Sequence, residues 1–342
     1  MRQKRDLTLV VLSVISLFLI AGCAGGSADV PSGAPTTPFL GGTEGLGAEF
    51  LEGSPPEEVT DDGTFPFQII VSLTNKGEFD LKKKDVNVSI IGVDPTDFDV
   101  TRGNIEGKGP EDDPTPRQRD SEGNIIEAVQ TFITFPQDGK ENFDFKGDIE
   151  NTRFTFRAET CYRYMTDVVS ELCVLENMVD VANDAICDPS ESKSVFSSGS
   201  PIKVDSFRQS VAGKDKIQFS FDIVHVGSGV VFDERTLEDS PDCPSSTTDR
   251  RKSENKVNVT VKTGLPNFTN HNPSLKCVGL KGQADSQLVM GSVTLSNGKR
   301  TITCTQDLTD RSDFKRIVDI NVTFNYLEHM DKVVLVKDID SS

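Results

Sequence analysis

Tryptophan is absent from these 342 residues, and tyrosine and histidine occur only three times each. So few broad, polar-tipped aromatics argue against a sugar-stacking platform, although 21 phenylalanines leave ample material for a core. Enzyme signatures are missing too: there is no GxSxG elbow, no phosphate loop, no GxGxxG after a strand and no HExxH. No pair of cysteines has CxxC spacing, and three histidines are too few to complete a zinc site. A Ser-His-Asp set need not be contiguous, but nothing in the sequence points to one. His271 (TNHNP) and His329 (LEHMD) read as exposed loop residues. Basic charge is also short. The chain has 36 Lys and Arg against 54 Asp and Glu, a net charge of −18. A polyanion needs a basic footprint, so nucleic acid is not an expected partner. The densest basic run, Arg250-Arg251-Lys252, lies in a Ser/Thr/Asp-rich loop and reads as a solvated turn. Neither an enzyme nor a resident cofactor is expected.

What is present begins with an address. Arg2, Lys4 and Arg5 precede an apolar run from Leu7 to Ile20, which is shorter than the roughly 20 residues that span a bilayer. The run ends in FLIAGCAGG (18–26). Ile20-Ala21-Gly22-Cys23 resembles a prokaryotic lipobox, which implies a signal peptide over 1–22 and lipid on Cys23. Residues 23–40 are small and rich in Gly, Pro, Ser and Thr, as expected of a flexible tether. The leader removes three basic and one acidic residue from the 36 and 54, so the mature chain carries about −20. The expected location is extracytoplasmic and anchored to the cell membrane.

The remaining six cysteines, Cys161, Cys173, Cys187, Cys243, Cys277 and Cys304, are an even number in an exported chain and read as disulfides. The sequence between them repeats itself. Phe65, Phe67, Ile69, Val71 and Leu73 alternate with mostly polar neighbours and run into Asn75-Lys76-Gly77; Ile217, Phe219, Phe221 and Ile223 do the same into His225-Val226-Gly227. His225 thus stands where the other copy has Asn75, and reads as a turn or edge residue. VNVS (86–89) returns as VNVT (257–260), and the strand through Phe154–Tyr164 returns as Val318–Tyr326. Three matched elements in order argue for a duplicated domain. The expected architecture is all-β: two tandem immunoglobulin-like sandwiches over 41–189 and 201–342, joined by a linker at 190–200. In SVTLSNGKRTITC (292–304), Asn297-Gly298 suits a type I′ hairpin. That register sets Leu295 opposite Arg300 and Val293 opposite Ile302, and turns Cys304 inward, within reach of Cys277.

One segment leaves two readings open. Val168, Leu172, Leu175, Val179, Ala182 and Ile186 have helical spacing. In an unbroken helix Cys173 and Cys187 stand about 21 Å apart, and a disulfide needs about 7 Å or less. A strand near 172–175 with a covalently closed loop is the favoured alternative. Asp94, Asp97 and Asp99 are calcium candidates as clustered oxygen ligands, although they lack EF-hand spacing and glycine. Asn87, Asn258, Asn267 and Asn321 head glycosylation sequons; three lie in expected strands, on the face opposite the apolar residues.

GGTEGLGAEFLEGSPPEEV (41–59), CYRYMT (161–166), SSGSPIKVDSF (197–207) and LSNGKRTITC (295–304) together resemble uncharacterised archaeal surface lipoproteins with tandem Ig-like modules, common in reduced-genome lineages. The resemblance implies disulfides Cys173–Cys187 and Cys277–Cys304. It leaves Cys161 and Cys243 for a bond between domains that would fix their angle. It implies no activity. The expected role is structural or adhesive, through loops such as 107–123 and 233–256 or exposed sheet edges, with an envelope or cell-surface protein or polysaccharide as partner. The alternative is a glycan- or peptide-binding module, with Tyr162 or Tyr164 lining its pocket. Replacing Cys23→Ala is expected to release the protein from the membrane fraction or leave its precursor uncleaved; unchanged retention and processing would overturn the lipid reading.

Overall fold

Alternation decides the architecture. Along the long strand that runs from Thr152 to Val174, Phe156, Ala158, Tyr162, Tyr164, Val168 and Leu172 are buried while their neighbours are open, the pattern of a strand with one covered face. The computed structural model describes residues 37–137, 139, 142–234, 240–265, 275–280, 288–308 and 312–339. In chain order its strands are β1 (Leu46–Phe50), β2 (Glu58–Thr60), β3 (Ile69–Asn75), β4 (Val86–Ile91), β5 (Gln118–Arg119), β6 (Ile125–Ile126), β7 (Thr131–Phe135), β8 (Thr152–Val174), β9 (Phe196–Ser197), β10 (Ile202–Gly213), β11 (Lys216–His225), β12 (Val230–Phe232), β13 (Lys256–Lys262), β14 (Lys276–Val278), β15 (Leu288–Thr294), β16 (Lys299–Asp307) and β17 (Phe314–Lys337). Helices are short: α1 (Arg102–Ile105) and α2 (Thr247–Ser253). The fold is all-β.

One large sheet runs β15-β13-β17-β8-β4, with β12 and β2 added to β17 and β9 added to β8. Two smaller sheets, β1-β3-β7 and β10-β11-β16-β14, complete the N-terminal and C-terminal halves. β8 and β17 pair antiparallel from Thr152↔Val336 to Val174↔Phe314. Each therefore serves both halves of the chain, and residues from Pro38 onward form one compact unit.

The register shows how the duplication is built. β4 pairs Asn87 with Cys161, and β13 pairs Asn258 with Thr323. With these as equivalents, Tyr164 answers to Tyr326 and Tyr162 to Phe324. The ladder pairs Tyr164 with Phe324 and Tyr162 with Tyr326, and the pair Arg163↔Asn325 answers to itself. A local two-fold therefore passes through Arg163 and Asn325. All four rings are buried beside it, with Tyr162–Tyr326 centroids 5.6 Å apart. They join a phenylalanine cluster around Phe98 in one half to stacked Phe207 and Phe219 in the other.

The tyrosine hydroxyls explain the paired glycines of the repeat. Tyr164 donates to Asn75 Oδ1 and accepts from Phe79 N–H; Tyr326 accepts from Gly229 N–H and lies 2.9 Å from His225 Nε2. A Cβ at Gly77 would stand 2.0 Å from the Tyr164 hydroxyl, and one at Gly227 2.2 Å from that of Tyr326. Glycine is needed at both turns for space.

Three expectations change. Asn297 and Gly298 take the positive φ of the expected turn (52° and 74°), but beyond the Ser296↔Lys299 bridge the arms separate. β15 pairs with β13 and β16 with β11, so Val293 and Ile302 enter the core from opposite sheets rather than as neighbours. Residues 190–200 are not a spacer: β9 pairs with Val168 and Val169, Lys193 N–H donates to the Phe207 carbonyl, and Ser198 and Ser200 are buried. The segment closes the gap between β8 and β10. Phe65 lies outside β3 and is exposed. At 166–186 the chain continues as strand to Val174 and then loops back through the Cys173–Cys187 disulfide.

Gly77→Ala is expected to destabilise the fold by about 1–3 kcal/mol, because the intruding methyl meets the Tyr164 hydroxyl and the Gly199 carbonyl. Gly103→Ala, in α1 with nothing within 4 Å of its Cβ position, should be neutral or mildly stabilising. Urea denaturation of the two variants checks this; equal midpoints would overturn it.

Candidate functional site

CYRYMT takes its meaning from alternation. Tyr162 and Tyr164 turn into the core, while Cys161 and Arg163 turn to the outer face of the large sheet. Two described stretches, 233–234 and 240–243, lie on that face at the two-fold and act as a strap. Arg163 Nε lies 2.9 Å from Glu234 and its Nη1 3.3 Å from Asp85. Asn258 donates to the Glu234 carbonyl, Asn87 to Ser240 Oγ, and Asn325 to the Asp242 carbonyl. Cys243 closes the strap onto Cys161, with the Cα atoms 6.0 Å apart. A link between positions 82 residues apart is worth about 4–5 kcal/mol in the chain-entropy picture. Among the described residues only one half of the duplication supplies such a strap.

Beside the strap lies a recess of about 430 Å³, lined by Arg157, Glu159, Ser228, Gly229, Val230, Arg250, Leu327, Glu328 and His329. The ladder brings Arg157 and Glu159 across from Asp331 and His329. Arg157 holds Asp331 through two hydrogen bonds of 2.7 and 2.9 Å, and this keeps the Asp331 carboxyl below its ordinary range. Ser246 caps α2 by accepting from Asp249 N–H. The helix presents Arg250 over the Phe232 ring at 5.3 Å, with Glu254 as its ion-pair partner. The basic run is thus the end of a capped helix, not a turn. Glu328 is half-buried; desolvation raises its pKa, and Glu44 nearby pushes the same way against Lys76. The recess offers fixed, mostly paired charges and backbone groups, an arrangement suited to polar contact.

The residues singled out in the sequence fall elsewhere. Asp94 spends its carboxylate capping the turn at Pro95–Phe98 through Thr96, Asp99 pairs with Lys146, and the three aspartates do not converge. Among the described residues no group of three His, Cys, Asp or Glu side chains could hold a metal ion. The sequon residues Asn87, Asn258 and Asn321 are half-buried, and each amide donates within the fold, Asn321 to Asp167. The outer face there is covered rather than solvated. Cys277 bonds Cys304 on the adjacent strand β16. His329 is on a strand, at the recess; His225 is half-buried. Cys23, Asn267 and His271 lie outside the described residues. The recess itself left no sequence signal except Arg157 and Glu159 at alternating outward positions, a pattern shared by any solvated strand.

His225 generates a prediction. The Tyr326 hydroxyl accepts from Gly229 N–H and lies 2.9 Å from the His225 Nε2; burial lowers the imidazole pKa from the ordinary 6.5. The unfolded chain binds that proton first as pH falls, so His225 costs stability below pH 6.5 and nothing well above it. His225→Asn, copying Asn75, should lose less stability than the parent between about pH 7.5 and pH 5. Parallel slopes in urea titrations would overturn this.

No family model and no curated protein matches the chain. Among solved structures, the secreted serine protease VesC from Vibrio cholerae aligns over 82% of this chain and 50% of its own length, at 7% identity and a TM-score of 0.15. This chain thus spans half of that protein, and a likeness so slight carries no argument.

Proposed function

We propose that this chain is a non-enzymatic cell-surface lipoprotein, held by lipid on Cys23, that acts as a rigid structural or adhesive module. In this reading the two halves are Ig-like sandwiches that share their long strands. The observation that carries it is the filled centre: Tyr162, Tyr164 and Tyr326 are fully buried at the two-fold, and so do not line a pocket. A glycan or small-ligand receptor is expected to present aromatics in an enclosed cavity, and no Phe or Tyr lines the described recess. Three disulfides place the chain in an oxidising, extracytoplasmic environment. Among the described residues no helix is long and apolar enough to cross a membrane.

Recognition would run through elements that stand off this frame. The hairpin β5–β6 is one, with Ile125 and Ile126 about half exposed (50% and 53%) and Val129 beyond it at 67%. Loop 107–117 below it is tied down, through Lys108 to Val88 and Arg117 N–H to the Gly77 carbonyl. The strongly acidic surface fits an envelope protein or polysaccharide better than a nucleic acid. The test is saturable capture of purified envelope protein or polysaccharide by oxidised 30–342, folding checked by circular dichroism and by mass of the three disulfides. Saturable binding lost on replacing Ile125 and Ile126 by serine is the expected result. No binding by folded protein would overturn the adhesive role in favour of a coat component.

A further inference from the structure

The two halves differ at one edge. In the C-terminal half, the outer edge of β8 is closed by the segment 190–198: β9 pairs Ser197 with Val168 and Phe196 with Val169, and Ser198 N–H donates to the Asp167 carbonyl. Beneath it Thr166, Val168 and Ser170 are 0%, 1% and 3% exposed. The equivalent stretch of β17 is 328–334. There β12 ends at Leu327 and β2 begins at Leu335, and among the described residues no strand covers what lies between. Glu328, Met330 and Lys332, the counterparts of those buried residues, stand partly open.

The polarity of this edge follows from its neighbours. Leu335 N–H donates to the Glu57 carbonyl, and the Lys337 carbonyl accepts from Asp61 N–H. Odd-numbered residues of β17 therefore turn their amides away from β8. His329, Asp331 and Val333 present three N–H and three C=O groups to a lane that no described residue fills, the situation in which a sheet takes up a further strand. The chain's own upstream segment is drawn elsewhere: Glu78 accepts from Leu40 and Gly41 N–H as well as from Gly199 N–H. A second copy's β17 cannot lie there, because β12 and β2 occupy the same lane at either end.

We propose that 328–334 is a strand-acceptor site for a short extended segment of a partner polypeptide, bound antiparallel as β9 is bound by β8. The inward side chains set its chemistry. In the register of β9, the guest residues opposite Lys332, Met330 and Glu328 are those at the positions of Val195, Ser197 and Gly199. Opposite-charge pairs across strands attract, so the fitting guest reads acidic, any, apolar, any, basic. Its basic end meets Glu328 and Glu44 near the recess, and its five residues, about 17 Å long, fit within the lane of about 23 Å. The site stands on sheet geometry alone and goes beyond the adhesive reading, which can fail without it.

The test uses the oxidised mature chain and a peptide of residues 190–200 carrying V195E, S197V and G199K. Without peptide, amide hydrogen exchange should be fast at His329, Asp331 and Val333 and slow at Met330 and Lys332, which bond β8. Slow exchange at all five would mean that the lane is already filled, and would overturn the proposal. With peptide, the three fast amides should slow at least about tenfold, the scale of one to two net hydrogen bonds. The charge-swapped peptide, V195K with G199E, should bind about tenfold more weakly. Val333→Pro removes an edge donor without touching the bonds to β8; it should abolish the protection while Met330 and Lys332 stay slow. No protection by the first peptide, or equal binding of both peptides, would overturn the assignment.

Discussion

The structure depends on the ladder between β8 and β17. Two strands of 23 and 24 residues run antiparallel with their midpoints aligned, so each half of the duplicated chain donates the end of its longest strand to the other half. This is a different solution from two beads on a linker. A hinge between the halves would have to break main-chain hydrogen bonds at the pairs Tyr162↔Tyr326 and Tyr164↔Phe324, on either side of the two-fold, and part their buried rings. Such bonds open only with the sheet itself, so the two cores behave as one.

Two chemistries reinforce the crossing. On the inner face the Tyr164 and Tyr326 hydroxyls bond to turns that leave room only for glycine. On the outer face Cys161 and Arg163 hold the strap. Alternation along CYRYMT sends four neighbouring residues to these two tasks, so a short motif carries more of the fold than its length implies. Glu78 adds a third tie. Its carboxylate gathers the Leu40, Gly41 and Gly199 amides, which brings the stretches that open the two halves together at one acidic group.

Much of this was legible in the sequence. Period-2 alternation marked the central strands, the echoes at 86–89 and 257–260 marked the duplication, and the glycine after each matched strand marked the turns. What stayed hidden was pairing. The local pattern of Val318–Tyr326 identifies a strand but not that its partner is β8, because an alternating strand is equally content beside any other of matching pitch. The hairpin at Asn297-Gly298 misled for the same reason: turn chemistry fixes the turn, while the core decides that β15 and β16 enter different sheets. An aspartate cluster is also what caps a tight turn, and Asp94 is used for that. The sequons looked solvated because strand parity reports which face a residue is on, not whether a distant strap lies over it.

Where the halves of a duplication have parted, the difference carries the information. The tyrosine–glycine pairs remain matched because both halves need them to close the crossing. The strap, the filled edge beside β8 and the open edge beside β17 are unmatched. The filled edge is closed by a segment that connects the two halves and is covalently obliged to be there. Before the first half, Leu40 and Gly41 are drawn to Glu78. Sharing strands between repeats therefore has a consequence: one lane is filled by the segment between the halves, and among the described residues no strand fills its twin. Thr166, in the filled lane, bonds Ser200 and the Ile202 carbonyl, whereas its counterpart Glu328 faces another carboxylate, Glu44. Where the filled lane has the hydroxyl of Thr166, the open lane carries a second carboxylate, and two neighbouring carboxylates attract a cation.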